Sequence, residues 1–288
     1  MRTIKKILKI PIRMLLKLSA RKQLSRLSTI RNPAADKIVN ALTDTLNDHL
    51  ASEEKTWVDR IEALRKKLSR SSTEISITDY GVGAANLKRT KEAMYQGVTV
   101  TRTVGNASRA STPYFWSLLL FKLVRNFRPS SCLELGTCVG ISGAYQASAQ
   151  QLNKNGGFVT LEGDKSLGSL AVQNLQSLGL DNISVVTGRF HVTLDKVLNE
   201  HKPIDYVFID GHHDEDATIA YFEQIQPYFS EKSILIVDDI SWSDGMRKAW
   251  KRIEGSEKVR ISLDLRVIGI CILDNDIDQK YSFRIWLV

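Results

Sequence analysis

The chain has 288 residues, 43% of them hydrophobic, enough to bury one sizeable α/β core and carry an extension beside it. Its formal net charge of +8 is concentrated at one end, because residues 1–32 hold ten Lys/Arg and no acid and the remainder carries −2. That excludes the global basic surface of nucleic-acid enzymes and makes a nucleic-acid partner a poor fit. The three cysteines, Cys132, Cys138 and Cys271, lie in or beside apolar runs without metal-ligand spacing, so reduced core thiols and a cytoplasmic location are expected.

Residues 1–32 space Ile4, Ile7, Leu8, Ile12, Leu15, Leu16, Leu24 and Leu27 among regular cations, with Pro11 as a bend. No uninterrupted apolar run approaches the roughly 20 residues of a membrane span. Lys9, Arg13 and Lys17 interrupt any secretory core. The segment reads as basic and amphipathic. It suits peripheral contact with an anionic membrane face, packing on the domain or on a second copy in a homodimer, a solvated tail, or a nucleic-acid or targeting arm.

From Ala34 to about Arg70, Ile38, Leu42, Leu46, Leu50, Trp57, Ile61 and Leu64 recur at helical spacing and predict two helices. Ser71 to Thr112 is polar, glycine-bearing and poorly periodic, which predicts either a linker or a lid. Tyr80, Arg109 and Tyr114 are its candidate acceptor contacts. The expected organisation is a basic segment over 1–32, a helical cap and lid over 33–110, and a catalytic domain over 111–288.

Beyond Thr112, helices are expected near 113–127, 141–153, 166–178, 191–200, 214–229 and 244–254. Between them run short apolar stretches rich in β-branched residues: 132–135, 158–162, 183–188, 204–210 and 234–239. The alternation predicts βαβ units and a parallel sheet buried on both faces. Val267–Leu273 and Tyr281–Leu287 are expected as the last two strands, turned at Asp274-Asn275-Asp276.

The most informative stretch is Cys132-Leu133-Glu134-Leu135-Gly136-Thr137-Cys138-Val139-Gly140-Ile141-Ser142, a strand ending in a glycine turn that opens into a helix. In an open α/β sheet, ligands bind at that edge. A dinucleotide fingerprint needs G-x-G-x-x-G to press backbone against a pyrophosphate. Here Cys138 takes the second glycine position, which argues against a dehydrogenase. Glu134 is placed to meet a positive group. Glu162, 26 residues after Gly136, ends the second strand where a carboxylate accepts ribose hydroxyls. S-adenosylmethionine, with an amine, a sulfonium, a ribose and no phosphate, fits. The candidate cofactor contacts are Glu134, Gly136, Thr137, Gly140, Ser142, Glu162, Gly188 and Asp210.

With these residues in place, the chain resembles class I S-adenosylmethionine-dependent methyltransferases, nearest the small O-methyltransferases related to catechol O-methyltransferase. The resemblance runs from about Ser111 to Val288, best over Leu123–Gly136. It is also similar to uncharacterised bacterial methyltransferase-domain proteins, through Asp79-Tyr80-Gly81, Ile209-Asp210-Gly211-His212-His213 and Asp238-Asp239-Ile240-Ser241-Trp242-Ser243. The resemblance implies a Rossmann-like methyltransferase fold: a seven-stranded, mostly parallel sheet with a C-terminal antiparallel strand, a final antiparallel hairpin, and helices N-terminal to it. It also implies a lid just before the first core helix.

Chemistry concentrates at Asp210, His212, His213, Asp238 and Asp239, which end the fourth and fifth strands. Three carboxylates suit Mg²⁺. In catechol-type enzymes two aspartates and an asparagine at these places hold that ion, which makes Asp210, Asp238 and Asp239 the candidate metal ligands. The asparagine position reads Asp239 here, and His213 stands where those enzymes have a catalytic lysine. His213 and Asp210 are the candidate catalytic residues, the imidazole taking a proton from a hydroxyl acceptor. Capping of strand ends by Asp210 and Asp238, and packing by His212 and Trp242, are the structural alternatives. Three functions stay open: O-methylation of a small-molecule or glycan hydroxyl, methylation of a lipid-linked or quinone-like acceptor at a membrane surface, and a non-catalytic cofactor-binding scaffold. No Asn/Asp-Pro-Pro-aromatic motif follows the fourth strand, which disfavours base methylation on nucleic acid.

Overall fold

The computed structural model describes residues 20–83 and 89–287. Most of the basic segment, residues 1–19, lies outside the described residues. Its described part is helical over 20–27 (α1), with Ala20, Leu24 and Leu27 buried and Arg21, Lys22 and Arg26 exposed. The apolar side of α1 is therefore spent on the protein core.

The two expected helices are α2 (Pro33–Leu46) and α3 (Ser52–Ser69). Asn32 starts α2, its side-chain oxygen accepting from the Ala34 amide at 2.7 Å ahead of Pro33 in the first turn. Both helices are tied to α6 (Tyr114–Phe127) through a buried ion cluster. Lys122 Nζ lies 2.6 Å from Glu54 Oε2 and 3.3 Å from Asp44 Oδ2, and Arg125 Nε lies 3.0 Å from Glu54 Oε1. Burial alone would raise the Glu54 carboxyl; the two cations hold it below its ordinary value.

Residues 71–83 and 89–112 carry more regular structure than the sequence suggests. They form an antiparallel ribbon of β1 (Glu74–Asp79) and β2 (Val98–Thr103), with α4 (Lys91–Gln96) between them and α5 (Val104–Arg109) after. Ile77 is the one fully buried side chain of the two strands, so no apolar run marks them.

The remaining strands are β3 (Ser131–Leu135), β4 (Gly157–Glu162), β5 (Ile183–Thr187), β6 (Ile204–Ile209), β7 (Phe229–Val237), β8 (Ile261–Asp264), β9 (Gly269–Asp274) and β10 (Tyr281–Arg284). Between them run α7 (Ile141–Asn153), α8 (Lys165–Ser177), α9 (Phe190–His201), α10 (Glu215–Ile225) and α11 (Asp244–Glu254). The strands join in the order β10-β8-β9-β7-β6-β3-β4-β5. Only β9 runs against its neighbours, β7 and β8.

Two expectations are corrected. The sheet has eight strands rather than seven, because 261–264 pairs as well. The terminal hairpin is β8–β9, and β10 lies parallel on β8 instead of folding back on β9. The reason is edge occupancy: β9 is flanked on one side by β7 and on the other by β8, so the free edge belongs to β8.

Alternation within each central strand explains why they read as unbroken apolar runs. Cys132, Phe158, Tyr206, Phe208, Ile234 and Ile236 face a core shared with α2, α3, α6, α7 and α8. Leu133, Leu135, Val159, Leu161, Val207, Ile209, Leu235 and Val237 face a second core under α9, α10 and α11. Both faces are covered, as in a doubly wound sheet.

Candidate active site

Side chains at the carboxyl ends of β3, β4, β6 and β7 meet in a cavity of about 660 Å³, walled on its far side by the β1–β2 ribbon. The turn after β3 is built for close approach. Gly136 has φ +110°, and a Cβ there would fall 2.0 Å from the Asp210 carbonyl oxygen. Only glycine lets this turn pass under the end of β6. The Gly136 and Thr137 amides donate to the Leu161 carbonyl at 2.9 and 3.2 Å, and the Cys138 amide donates to Glu162 Oε2 at 2.8 Å.

Glu162 lines the cavity, and its other oxygen accepts from the Asp164 amide at 2.9 Å. Burial pushes its carboxyl up to about 7, against these amide donors. Gly136, Thr137, Ser142 and Asp210 line the cavity with it. Three other candidates do not reach it. Glu134 is wholly enclosed, accepting from Thr160 Oγ1 at 2.6 Å and Gln146 Nε2 at 2.8 Å, with burial pushing it to about 7. Gly140 packs its turn against Ala171, and the Gly188 amide donates to the Glu162 carbonyl at 2.8 Å. These three shape the cavity from behind.

The acid cluster sits at the other end. Asp210 Oδ2 accepts from Thr112 Oγ1 at 3.3 Å. Burial, then the charges of Asp238 and Asp239, hold its carboxyl well above the ordinary range. Burial and Asp239 likewise raise Asp238, which lies within hydrogen-bond reach of Asp210. Two enclosed carboxyls in contact cannot both ionise cheaply, so the pair retains a proton. Asp239 (φ +51°) faces the cavity. His213 stands between, Nε2 3.7 Å from Asp210 Oδ1 and Nδ1 3.8 Å from Asp239 Oδ2. Burial lowers its imidazole below the ordinary value, while Asp239 pulls it up. Trp242, 45% exposed, lies 6.5 Å from the His213 ring.

His212 does another job. Its Nδ1 pairs with the Tyr221 hydroxyl at 2.9 Å, its ring packs on Phe190, and burial lowers it to about 4. Cys138, His212, His213 and Asp239 all have φ between +50° and +64° without being glycine. Such conformations persist only where the surroundings enforce them, and they cluster at functional sites.

Three oxygen-donor carboxyls suit a hard divalent ion, and Asp238 Oδ1 is buried without a hydrogen-bond partner. Among the described residues, no three ligand-type side chains already surround a common point. The imidazole of His213 stands between Asp210 and Asp239, so these two carboxyls could serve one ion only with that ring displaced.

Of the weaker candidates, Tyr80 lines the cavity. Arg109 is instead bonded to the Ser69 carbonyl and Tyr114 to Asp48. The sequence did not single out Asp164, Thr112 or the wall formed by Tyr95 and Arg189. Only Asp164 carried a signal, as an aspartate just before a helix: its Oδ1 caps α8 through the Leu167 amide at 2.8 Å.

The strand order has one reversed strand, the turn after β3 lacks the dinucleotide glycine spacing, and an acid closes β4. Residues 133–240 match the family described as a methyltransferase domain. The catechol O-methyltransferase of Niastella koreensis is 31% identical over 110 residues, which are 38% of this chain and 48% of that protein. The chain thus spans about half the length of this curated relative. Cofactor-bound Rv0187 from MTB superposes with a TM-score of 0.52 at 18% identity, over 85% of this chain and 99% of that one. The SAH-bound Podospora anserina methyltransferase PaMTH1 superposes with a TM-score of 0.50 at 16% identity, over 77% of this chain and 97% of that one. Both likenesses are likenesses of fold.

Proposed function

We propose that the chain methylates a hydroxyl oxygen of a small molecule or glycan. The observation that carries this reading is one cavity with two ends: a glycine turn beside Glu162, and His213 between Asp210 and Asp239. S-adenosylmethionine, when bound, supplies an electrophilic methyl group. Glu162 has lone pairs left beyond its two amide donors, and these accept from the ribose hydroxyls. The turn at Gly136 has no side chain to hold the ligand off.

His213 takes the proton of the acceptor hydroxyl. Either ring nitrogen has a carboxylate facing it, so the imidazolium that forms is stabilised where it stands. An alcohol, which loses its proton far less readily than a phenol, depends the more on such a base. Trp242 offers a flat apolar face beside that base for a sugar or aromatic ring. As an alternative to that base, and with the imidazole displaced, Asp210, Asp238 and Asp239 would hold Mg²⁺. Such an ion supplies charge stabilisation and orientation for acceptor oxygens.

Contact with an anionic membrane face is a second component of the proposal. It rests on α1, whose Arg21, Lys22 and Arg26 point outward while its apolar side is buried.

The test is calorimetric titration of S-adenosylmethionine into wild type and Glu162→Ala, with Mg²⁺ and with chelator. Micromolar binding lost in the variant is expected. A metal-dependent change in acceptor binding implicates the three aspartates. Absence of binding in every condition ends the methyltransferase reading in favour of a scaffold.

A further inference from the structure

The β1–β2 ribbon lies outside the stretch that matches the family, yet it is fastened to three of the loops that build the cavity. After β4, Asp164 Oδ2 accepts from the Thr78 amide at 2.7 Å, while its Oδ1 caps α8. After β5, the Arg189 guanidinium lies 5.3 Å from the Tyr80 ring centre and 5.4 Å from that of Tyr95. After β6, the His212 carbonyl accepts from the Val82 amide at 3.0 Å.

Tyr80 is the side chain these fastenings aim. Its ring fits where two glycines leave room: a Cβ on Gly163 would fall 2.8 Å from Tyr80 Cδ2, and one on Gly97 would fall 2.6 Å from Cε1. Gly163 follows Glu162 directly, so the ring is set next to the carboxylate assigned to the ribose. Arg189 flanks it from the loop whose Gly188 bonds the Glu162 carbonyl. A base bound beyond the ribose on this side would lie away from His213 and Trp242. A phenol ring held over that end, with a guanidinium plane against it, is a stacking surface for a flat heterocycle.

We propose that the ribbon is the roof of the nucleoside pocket, with Tyr80 as its contact and Asp164 as the positioning residue that holds it down. The proposal rests on the reading of the cavity as an S-adenosylmethionine site. Asp164 touches no ligand; it ties three things to one carboxylate, the loop of Glu162, the start of α8 and the strand that carries Tyr80.

The test needs no acceptor. S-adenosylhomocysteine is titrated calorimetrically into full-length wild type, Tyr80→Ala, Tyr80→Phe and Asp164→Asn. Amide exchange over residues 74–83 is followed with and without it. S-adenosylhomocysteine slows exchange over 74–83 in the wild type. Tyr80→Ala binds about tenfold more weakly, the scale of one base–aromatic stack, and Tyr80→Phe restores wild-type affinity. Asp164→Asn speeds exchange over 74–83 and weakens binding, and Tyr80→Phe leaves that exchange slow. Unchanged exchange over 74–83 on binding overturns the roof, whatever the variants do. So does wild-type affinity in Tyr80→Ala. If the wild type itself fails to bind, the reading of the cavity falls first, so the two failures are told apart.

Discussion

Glu134 is the place where the structure departs most from what a strand-end acid suggests, and its titration is measurable. The residue is fully enclosed, and burial pushes its carboxyl from 4.5 to about 7 even though Thr160, Ser142 and Gln146 donate to it. Between those two values the folded chain keeps a proton that the unfolded chain releases. Stability is therefore greatest below the unfolded value and is lost as pH rises through the folded one. At about 1.4 kcal/mol for each pH step, the loss attributable to Glu134 between pH 4.5 and pH 7 is roughly 3 kcal/mol.

Glu134→Gln keeps the shape and removes the proton. The hydroxyls of Thr160 and Thr137, 2.6 Å apart, can reverse to meet the new amide. Urea unfolding at pH 5 and pH 8, followed by tryptophan fluorescence, compares the two proteins. The wild type should lose roughly 3 kcal/mol more than the variant over that interval. Glu162, also raised to about 7, keeps a residual slope in both. Equal slopes in wild type and variant would refute the claim that Glu134 is buried with a proton.

Gly136→Ala places a methyl group 2.0 Å from the Asp210 carbonyl oxygen at φ +110°, so the turn must move. S-adenosylhomocysteine affinity should drop by about a hundredfold or more by calorimetry, with a stability loss on the order of 1–2 kcal/mol by thermal melt. Glu54→Gln leaves Lys122, whose side chain is 3% exposed, with Asp44 at 3.3 Å as its remaining carboxylate, and should cost roughly 1.5–3 kcal/mol in denaturant titration. His213→Asn should lower methyl transfer by about 10²–10⁴-fold while leaving S-adenosylhomocysteine affinity as in wild type, read by kinetics and calorimetry together.

The core of the site was legible because its signals are local. Gly136 is dictated by backbone passing at its own Cα. Glu162, Asp210 and Asp239 announce themselves as acids closing apolar runs, and the runs are apolar because Cys132 and Leu133 face different cores. The ribbon was not legible for the opposite reason. Its strands bury little beyond Ile77, and it is fastened through the amides of Thr78 and Val82, groups that every residue but proline carries. Glu134 shows the same limit from another side. Its position at a strand end was correct, but direction depends on the pleat, and the pleat turns it toward Gln146 on α7. The placement of β10 needed the whole sheet, because β7 and β8 occupy both edges of β9 and the free edge belongs to β8.

Charge around the cavity bears on what it admits. Asp79, Glu162, Asp210 and Asp239 line it, and its arginines are committed: Arg102 lies 3.2 Å from Asp79, and Arg189 covers Tyr80 and Tyr95. With Asp210 and Asp238 sharing a proton and Asp79 paired with Arg102, Asp239 is the carboxylate beside His213, and its charge opposes an anionic acceptor there. A neutral methyl glycoside should therefore bind the S-adenosylhomocysteine-loaded, chelator-treated protein at least about tenfold more tightly than the same sugar carrying a phosphate. Isothermal titration of the pair decides it. Tighter binding of the phosphate would mean that Arg102 leaves Asp79 for the acceptor, and the acid cluster would then no longer set the acceptor's charge.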